Sequence, residues 1–491
     1  MNAIRSTEPP SHAAADAAVR MRQVCDALAR DSLPIVACSA FVGLVAVLSP
    51  HLLSSDGWLA LVGGRYIREH GLPHHDSLAA LTAGRPWVDQ QWLGQLGAYE
   101  VNAVGGVRLL LAANVVLVAG ALVAATIYAR RRGAAPTTVA AVGLLVLLPF
   151  LVTAMNVRTQ SCAYLGLVSL VALLTTPEEI GLPRAAVALS LLVLWANVHG
   201  SVLLAAAMVV LRGIVNVARR RSDYVAWLLI AAPGVCVLAS PYNVHLVGYY
   251  ADTVLNRSFA AYLSQWAPTS FSAISAPLLL VVFAVPFVLA RAVGAYSPYE
   301  RCLLALAALV GLLAVRNWPF AALLLLMLLP IGLDRGFRKR PPRPAPGLGA
   351  AIAAVAGIAA VWGVVVALSH PASALTSDYP EGAADAAARI ADATHGRVYA
   401  GIGFGDWLLW THPELTGRIV FDVRYELLRR DEMKRLVLFD DGSGLDNPLG
   451  APTVFVLDPV AEKEAVLGLS RDVRTVYKTD RAFVGIARTR P

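Results

Sequence analysis

Long apolar runs separated by short polar stretches make up most of the chain, at positions near 33–52, 108–128, 136–154, 160–176, 184–198, 200–218, 224–240, 272–291, 301–315, 318–333 and 348–369. Since about 20 apolar residues carry a helix across the hydrocarbon core, the pattern predicts a polytopic α-helical membrane protein with about 11 transmembrane helices. From Tyr379 onward the pattern changes to short strand-like segments, Val398–Ala400, Ile419–Phe421, Thr453–Leu457, Val473–Tyr477 and Phe483–Ile486, separated by helical stretches near 381–393, 404–411, 425–438 and 460–469. A small C-terminal soluble α/β domain with a partly parallel sheet follows from that alternation. The expected organisation is a tail over 1–32, a membrane domain over 33–370 and the soluble domain over 371–491.

Two polar segments between the runs are long, 53–107 and 241–271, and length of that kind is where binding and catalysis are carried. In the first, Trp58, Val62 and Tyr66 recur at four-residue spacing, as do Trp92 and Leu96 with Tyr99 close behind, which predicts two amphipathic helices along the membrane surface. Gly71-Leu72-Pro73 and Gly84-Arg85-Pro86 mark turns between them.

Composition sharpens this picture. With 57% hydrophobic and 15% charged residues and a mean hydropathy of +0.61, the chain is too apolar for an ordinary soluble protein. A net charge of +8 raises nucleic acid as a partner, but the basic residues cluster between apolar runs, as membrane-anchoring charges do, and no nucleic acid is expected. Alternation of sides puts Arg130, Arg131 and Arg132, then Arg219, Arg220 and Arg221, then Arg335, Arg338, Lys339, Arg340 and Arg343 on the side of the N-terminus, so the positive-inside rule predicts a cytoplasmic N-terminus and an extracytoplasmic soluble domain. Arg5, Arg20, Arg22 and Arg30 precede a first run of spanning length, read as a retained anchor. The five cysteines show no metal-ligand spacing, and no disulfide framework is expected.

Asp56 stands where the first run ends. It suits a base or a metal ligand, and equally a cap for the helix opening at Gly57. Asp76 and Asp89 add carboxylates to the same segment, His74 and His75 add imidazoles, and Trp87 and Trp92 are either interfacial anchors or platforms for sugar stacking. Arg158, His199 and Arg316, with Gln160, Asn197, Asn243, His245 and Asn317, are polar residues at one end of apolar runs. The two arginines and the histidine together suit a phosphate leaving group. Gly401-Ile402-Gly403-Phe404-Gly405 with Asp422 downstream matches a dinucleotide fingerprint only superficially, since Asp406 stands at the third glycine, and a tight strand-to-helix turn is expected there.

Asp56-Gly57-Trp58, Gly64-Arg65-Tyr66-Ile67, Gly71-Leu72-Pro73-His74-His75-Asp76, Gly84-Arg85-Pro86-Trp87-Val88 and Gln91-Trp92-Leu93 together resemble the first outer loop of bacterial GT-C-type membrane glycosyltransferases. The resemblance runs on through Val157-Arg158-Thr159-Gln160, Trp195-Ala196-Asn197-Val198-His199-Gly200, Ser240-Pro241-Tyr242-Asn243 and Gln265-Trp266. It extends to Gly405-Asp406-Trp407-Leu408-Leu409-Trp410 and Phe421-Asp422-Val423-Arg424 with Glu426. It implies a GT-C-like fold in the bacterial inner membrane and an inverting transfer of sugar from a polyprenyl-phosphate carrier to a glycan, lipid or protein hydroxyl. Asp56 is then the base, Arg158, His199 and Arg316 hold the phosphate, and Asp76 or Asp89 orients a substrate. A divalent cation, Mg or Mn, would fall to Asp56 with His74, His75 or Asp76, although this chain carries Ser55-Asp56-Gly57 where many members carry an acidic pair. The alternative reading is a non-catalytic GT-C-like scaffold or lipid- and polymer-handling component that recruits a protein partner through its soluble domain.

Overall fold

The computed structural model describes residues 12–176, 180–219, 223–254, 256–337, 346–445, 449–469 and 472–488; Arg5, Arg220, Arg221, Arg338, Lys339, Arg340 and Arg343 of the basic clusters lie outside them. The helical half runs α1 (His12–Arg30), α2 (Ser32–Val47), α3 (Ser55–His70), α4 (Trp92–Arg131), α5 (Pro136–Ala154), α6 (Gln160–Leu174), α7 (Leu182–Ala196), α8 (Val202–Ala218), α9 (Tyr224–Val237), α10 (His245–Val254), α11 (Arg257–Tyr262), α12 (Ala276–Arg291), α13 (Pro298–Leu313), α14 (Trp318–Phe337) and α15 (Pro346–Ser369). The C-terminal half follows as α16 (Ala372–Leu375), α17 (Glu381–Thr394), β1 (Val398–Ala400), α18 (Gly405–Thr411), α19 (Arg430–Asp440), β2 (Val454–Leu457), α20 (Lys463–Leu469), β3 (Val473–Lys478) and β4 (Phe483–Ala487).

Each apolar run is helical, and the chain is a polytopic helical membrane protein with a small C-terminal α/β domain. The number of full spans is a separate matter. Among the described residues four helices are long and apolar enough to cross a membrane, within Trp92–Arg131, Pro136–Ala154, Val315–Gly336 and Gly347–Ser369, with a fifth if Val19–Arg30 and Ser32–Val47, bent by 74°, count as one. The helices α6, α7, α8, α9 and α12 are apolar but have only 14–17 residues. At 1.5 Å per residue they reach roughly 21–26 Å, short of a hydrocarbon core of about 30 Å.

Local chemistry explains the breaks. Within α4 the backbone leaves helical geometry at Gly105 and Gly106, the latter at φ +64°, a conformation open to glycine. The break separates a surface segment from the apolar span. At the opposite end of the bundle, α13 opens with a Ser297/Glu300 capping box, and Glu300 also receives Arg132 at 2.6 Å, while the Asp334 carboxylate near the end of α14 accepts the Ala135 N–H at the start of α5. Carboxylates at helix ends thus tie neighbouring helices together. The middle of α14, Phe320 to Leu329, is buried throughout and forms the bundle's axis. Leu348, Val355, Ile358 and Trp362 on α15 face outward, as a lipid-facing helix should.

The sheet has the order β1-β2-β4-β3, with β1 and β2 parallel and the other pairs antiparallel. Ile419 pairs with Val398 of β1 and, on its other side, with Ala79 of the 53–107 segment. Ala80 and Leu81 donate their N–H groups to the carbonyls of Ile419 and Val420 at 2.7 and 3.0 Å, and Gly417 donates to Leu78 at 2.8 Å. The first long loop therefore extends the C-terminal sheet, and the two fold as one layer over the end of the bundle.

Candidate functional site

The helix α3 starts at Ser55, so Asp56 lies in its first turn and Ser54 occupies the cap position without a side-chain cap bond. The capping role open to Asp56 from sequence is not the one it takes. Its Oδ2 lies 2.9 Å from Nε of Arg158, with the carboxylate 39% exposed and the guanidinium 15%. The Nε–H is not aimed along that line and has no hydrogen-bond partner, so the contact is an ion pair held by charge. Arg158 sits in the turn before α6, fixed by Val157 N–H to the Leu52 carbonyl at 2.8 Å, and its Nη1 donates to Gln265 at 3.2 Å. Thr159 donates to Gln91 beside it.

Arg316, in the turn before α14, stacks its guanidinium 3.9 Å above the Trp266 ring, and Gln160 donates to its carbonyl at 3.5 Å. The 265–269 segment is fastened to this turn by Val315 N–H to the Ala267 carbonyl, Thr269 N–H to the Leu312 carbonyl and Trp318 Nε1 to the Thr269 hydroxyl. The fields of Asp56, Arg158, Tyr249 and Glu426 all reach Arg316. His199 lies between α7 and α8, buried, with Nδ1 accepting the Ser201 N–H at 3.1 Å. Burial, then the charges of Arg316 and Arg158, push its pKa down to about 3, so it stands as a neutral imidazole and not as a cation. The charges of Asp56 and Arg158 reach Arg316, and those of Arg316 and Arg158 reach His199, so the four share one electrostatic environment.

The remaining sequence candidates have other roles. Asp76 is fully buried, and its oxygens accept from Leu78 N–H at 2.9 Å, the Thr82 hydroxyl at 2.5 Å and Arg424 Nη2 at 2.7 Å, leaving none free for a substrate or metal. Arg424 also chelates Asp422 and lies 4.1 Å above the Trp87 ring, so buried Trp87 is a structural platform and not one for sugar. His74 and His75 are exposed, and among the described residues no group of three or more His, Cys, Asp or Glu converges to hold a metal ion. The set named for a divalent cation does not fit one. Asp89 is buried, accepts from Gln95 at 3.0 Å and has its second oxygen unpaired. Burial raises its pKa to about 7 against the pull of Arg424. Trp92 donates its indole N–H to Asn197 at 2.8 Å and lines an open groove of about 610 Å³ with Val193, Leu194 and Ser240.

Among the described residues the Arg424 clamp is one of three arginine links between the loop and the C-terminal domain. Arg85 pairs bidentately with Glu432 at 2.6 and 2.8 Å and donates to the Leu427 carbonyl, while Arg65 donates to the carbonyls of Leu409 and Trp410 and covers the Trp410 ring. Between Arg424 and Leu427 lies Glu426, which sequence reasoning quoted but gave no role. It is half-buried and is raised to about 7, by burial above all and against a hydrogen bond from its own backbone and the charge of Arg424, with Asp422 and Asp56 adding to the rise. The charges of Glu426 and Arg316 both reach Tyr249 of α10. The signal for Glu426 lay in its place two residues from the arginine that clamps the loop. Asp406, at the glycine-rich turn, is buried with Oδ1 unpaired, held well above the carboxylate range by burial and by Asp422.

No protein-family model matches the chain, and no curated protein matches it. Among solved structures, ArnT from Cupriavidus metallidurans bound to undecaprenyl phosphate is 14% identical, covers 92% of this chain and 97% of its own, and superposes with a TM-score of 0.45. The archaeal oligosaccharyltransferase AglB from Archaeoglobus fulgidus, in complex with an inhibitory peptide and a dolichol-phosphate, is 11% identical over 93% of this chain and 74% of its own, with a TM-score of 0.48. Likeness at this level leaves the activity to be argued from the residues.

Proposed function

We propose that the protein is an inner-membrane glycosyltransferase that moves a sugar from a polyprenyl-phosphate carrier to a hydroxyl of an extracytoplasmic glycan, lipid or protein, inverting the anomeric carbon. The N-terminus is cytoplasmic and the C-terminal domain extracytoplasmic. The supporting observation is the Asp56–Arg158 ion pair at the end of the apolar bundle, half-open to solvent, with Arg316 and the neutral His199 beside it. A lipid-linked phosphate arriving from the bilayer meets two guanidinium groups there, and a hydroxyl arriving from water meets a carboxylate.

In this reading the acceptor oxygen bonds to the anomeric carbon as the bond from that carbon to the phosphate oxygen breaks, and the electron pair leaves with the phosphate. The hydroxyl proton passes to Asp56. Arg158 turns from Asp56 to the phosphate as its second negative charge develops, with Arg316 opposite, and His199 offers Nε2–H as a neutral donor. Base catalysis of this type contributes about a hundred- to ten-thousand-fold.

The test uses purified full-length protein, a panel of radiolabelled polyprenyl-phosphate sugars and identification of the labelled product. Asp56→Asn should lower transfer at least a hundredfold while the protein stays folded. Full activity in that variant would reject Asp56 as the base. Transfer by wild type from none of the donors would reject the transferase reading in favour of a scaffold.

A further inference from the structure

One buried side chain builds the groove beside Trp92. Asn197, at the end of α7 and only 7% exposed, donates through Nδ2 to the carbonyls of Val193 and Ala239, both at 2.9 Å, and accepts the Trp92 indole N–H at 2.8 Å. It thereby fastens α7, the 239–243 turn and the first turn of α4 around an open space of about 610 Å³. The same walls are braced by Leu93 N–H to the Asn197 carbonyl at 3.0 Å and by the Tyr242 hydroxyl to the Pro73 carbonyl at 2.9 Å. Walls pinned in this way are in place before a ligand arrives.

The lining defines what the groove can take. Ser190, Val193, Leu194 and Asn197 recur at three- and four-residue spacing, so one face of α7 forms a wall. Leu194 is 55% exposed on a helix of a bundle in lipid, and the groove therefore opens sideways to hydrocarbon. None of the described residues lining it carries a charge. A phosphate or ammonium head group would lose hydration there without meeting an opposite charge, which sets the groove apart from the Arg158 and Arg316 turns. Trp92 narrows the choice further. An indole that anchors a protein at the membrane interface sends its N–H toward water or head groups, but this one is spent on buried Asn197. The part-exposed ring thus offers the groove its hydrocarbon surface. A sugar ring suits that surface, because its C–H face packs on the negative face of the indole while its hydroxyls can pair with exposed Ser190 and Asn243.

Position links the groove to the chemistry. Trp92 and Leu93 line it, and the next residue, Gly94, packs so closely on the turn after Arg158 that a Cβ there would stand 2.9 Å from Thr159 Cβ. The groove is thus separated from the Asp56–Arg158 pair by about one helix diameter, roughly 10–12 Å.

We propose that this groove is the docking site of an uncharged glycolipid, whose sugar stacks on Trp92 and whose chains run along Val193 and Leu194. Its role rests on the transferase reading, in which the docked glycolipid is the acceptor and the attacking hydroxyl belongs to a neutral lipid-linked sugar.

The experiment places full-length protein in phosphatidylcholine nanodiscs with a diazirine-bearing glucosyl diacylglycerol, or with a diazirine-bearing phosphatidylglycerol as the charged control. Labelled peptides are read by mass spectrometry. The glucosyl probe should label 190–197 and 239–243, and a tenfold excess of unlabelled glucosyl diacylglycerol should cut that labelling at least fivefold, whereas the same excess of phosphatidylglycerol should change it less than twofold. Trp92→Leu should lower the labelling at least fivefold, and so should Leu194→Trp, which fills the groove from an exposed position without removing a polar contact. Equal labelling by both probes, labelling that neither variant lowers, or no labelling of these segments would each overturn the inference. Polyprenyl phosphate binding in the same nanodiscs reports separately on the carrier site. Binding without groove labelling would overturn the groove and leave the carrier reading standing; groove labelling without binding would overturn the acceptor role and leave the glycolipid site standing.

Discussion

Arg424→Met tests whether the loop and the C-terminal domain are held together by charge. Methionine keeps most of the volume against Trp87 but removes the guanidinium shared by Asp76 and Asp422, whose side chains are 0% and 3% exposed. Leaving one partner of a buried ion pair uncompensated costs about 3–5 kcal/mol. The two carboxylates share one cation, so their losses do not add, and the same range serves for the whole clamp. The cost falls on the seam where Ala80, Leu81 and Gly417 donate across to the opposite segment. At roughly 1.4 kcal/mol per decade, 3 kcal/mol raises the opening equilibrium of that seam about a hundredfold. Hydrogen exchange followed by mass spectrometry on peptides spanning 74–86 reads this directly, with peptides from α14 as the internal reference. Protection over 74–86 should fall about a hundredfold in Arg424→Met, and Asp76→Asn added to that variant should restore about 1–2 kcal/mol by removing one stranded charge. A change below threefold in the single variant, or no recovery in the double, would refute the clamp.

Gly64 and Gly97 should respond oppositely to alanine. A Cβ on Gly64 would stand 2.4 Å from the Gln95 carbonyl oxygen and 2.5 Å from Tyr99 Cβ, so Gly64→Ala should force α3 from α4 at a cost of about 1–3 kcal/mol; Gly97 has nothing within 4 Å, and Gly97→Ala should gain roughly 0.5–1 kcal/mol. Thermal midpoints in one detergent decide it, and equal shifts would contradict the packing argument. Asp89 binds a proton in the folded protein up to about pH 7 against an ordinary value of 3.8, so its contribution to stability is full below pH 4 and is lost as pH rises through 7. Asp89→Asn should therefore flatten the fall in stability between pH 5 and pH 8, by on the order of 2–4 kcal/mol, and an unchanged slope in urea titrations at those two pH values would refute the assignment.

The apolar runs, the helices at α3 and the start of α4, and four of the five expected strands were legible because each depends on a local pattern: continuous apolar length, four-residue spacing, or short β-branched segments between turns. Two expectations failed: α3 is buried on all sides from Gly57 to Gly64 instead of lying amphipathic on a surface, and Ile419–Phe421 contributes only isolated bridges at Ile419, because packing partners outside the local pattern decide both. The break in α4 at Gly105 and Gly106 falls where the surface pattern gives way to the spanning one. Helix length was less legible, since Pro183 and turn-forming polar pairs such as Asn197-Val198-His199 trim several runs to 14–17 residues. Asp56, Arg158, His199 and Arg316 could be picked out as candidates because charged or polar groups beside apolar runs are costly and so stand out in any sequence. Asp76 and Trp87 looked equally functional, and nothing local marks them as structural.

Sequence alone determined that this chain builds a bundle in lipid and a small soluble sheet, because burial of apolar surface and backbone pairing respond to residues a few positions apart. Only the tertiary structure decided that Asp76 belongs to Arg424, 348 positions away, that Ala79 pairs beside Ile419, and that Arg85 reaches Glu432. Whether a buried charge serves chemistry or holds the fold depends on which opposite charge reaches it, and that is settled by long-range packing, on which the spacing of residues along the chain is silent.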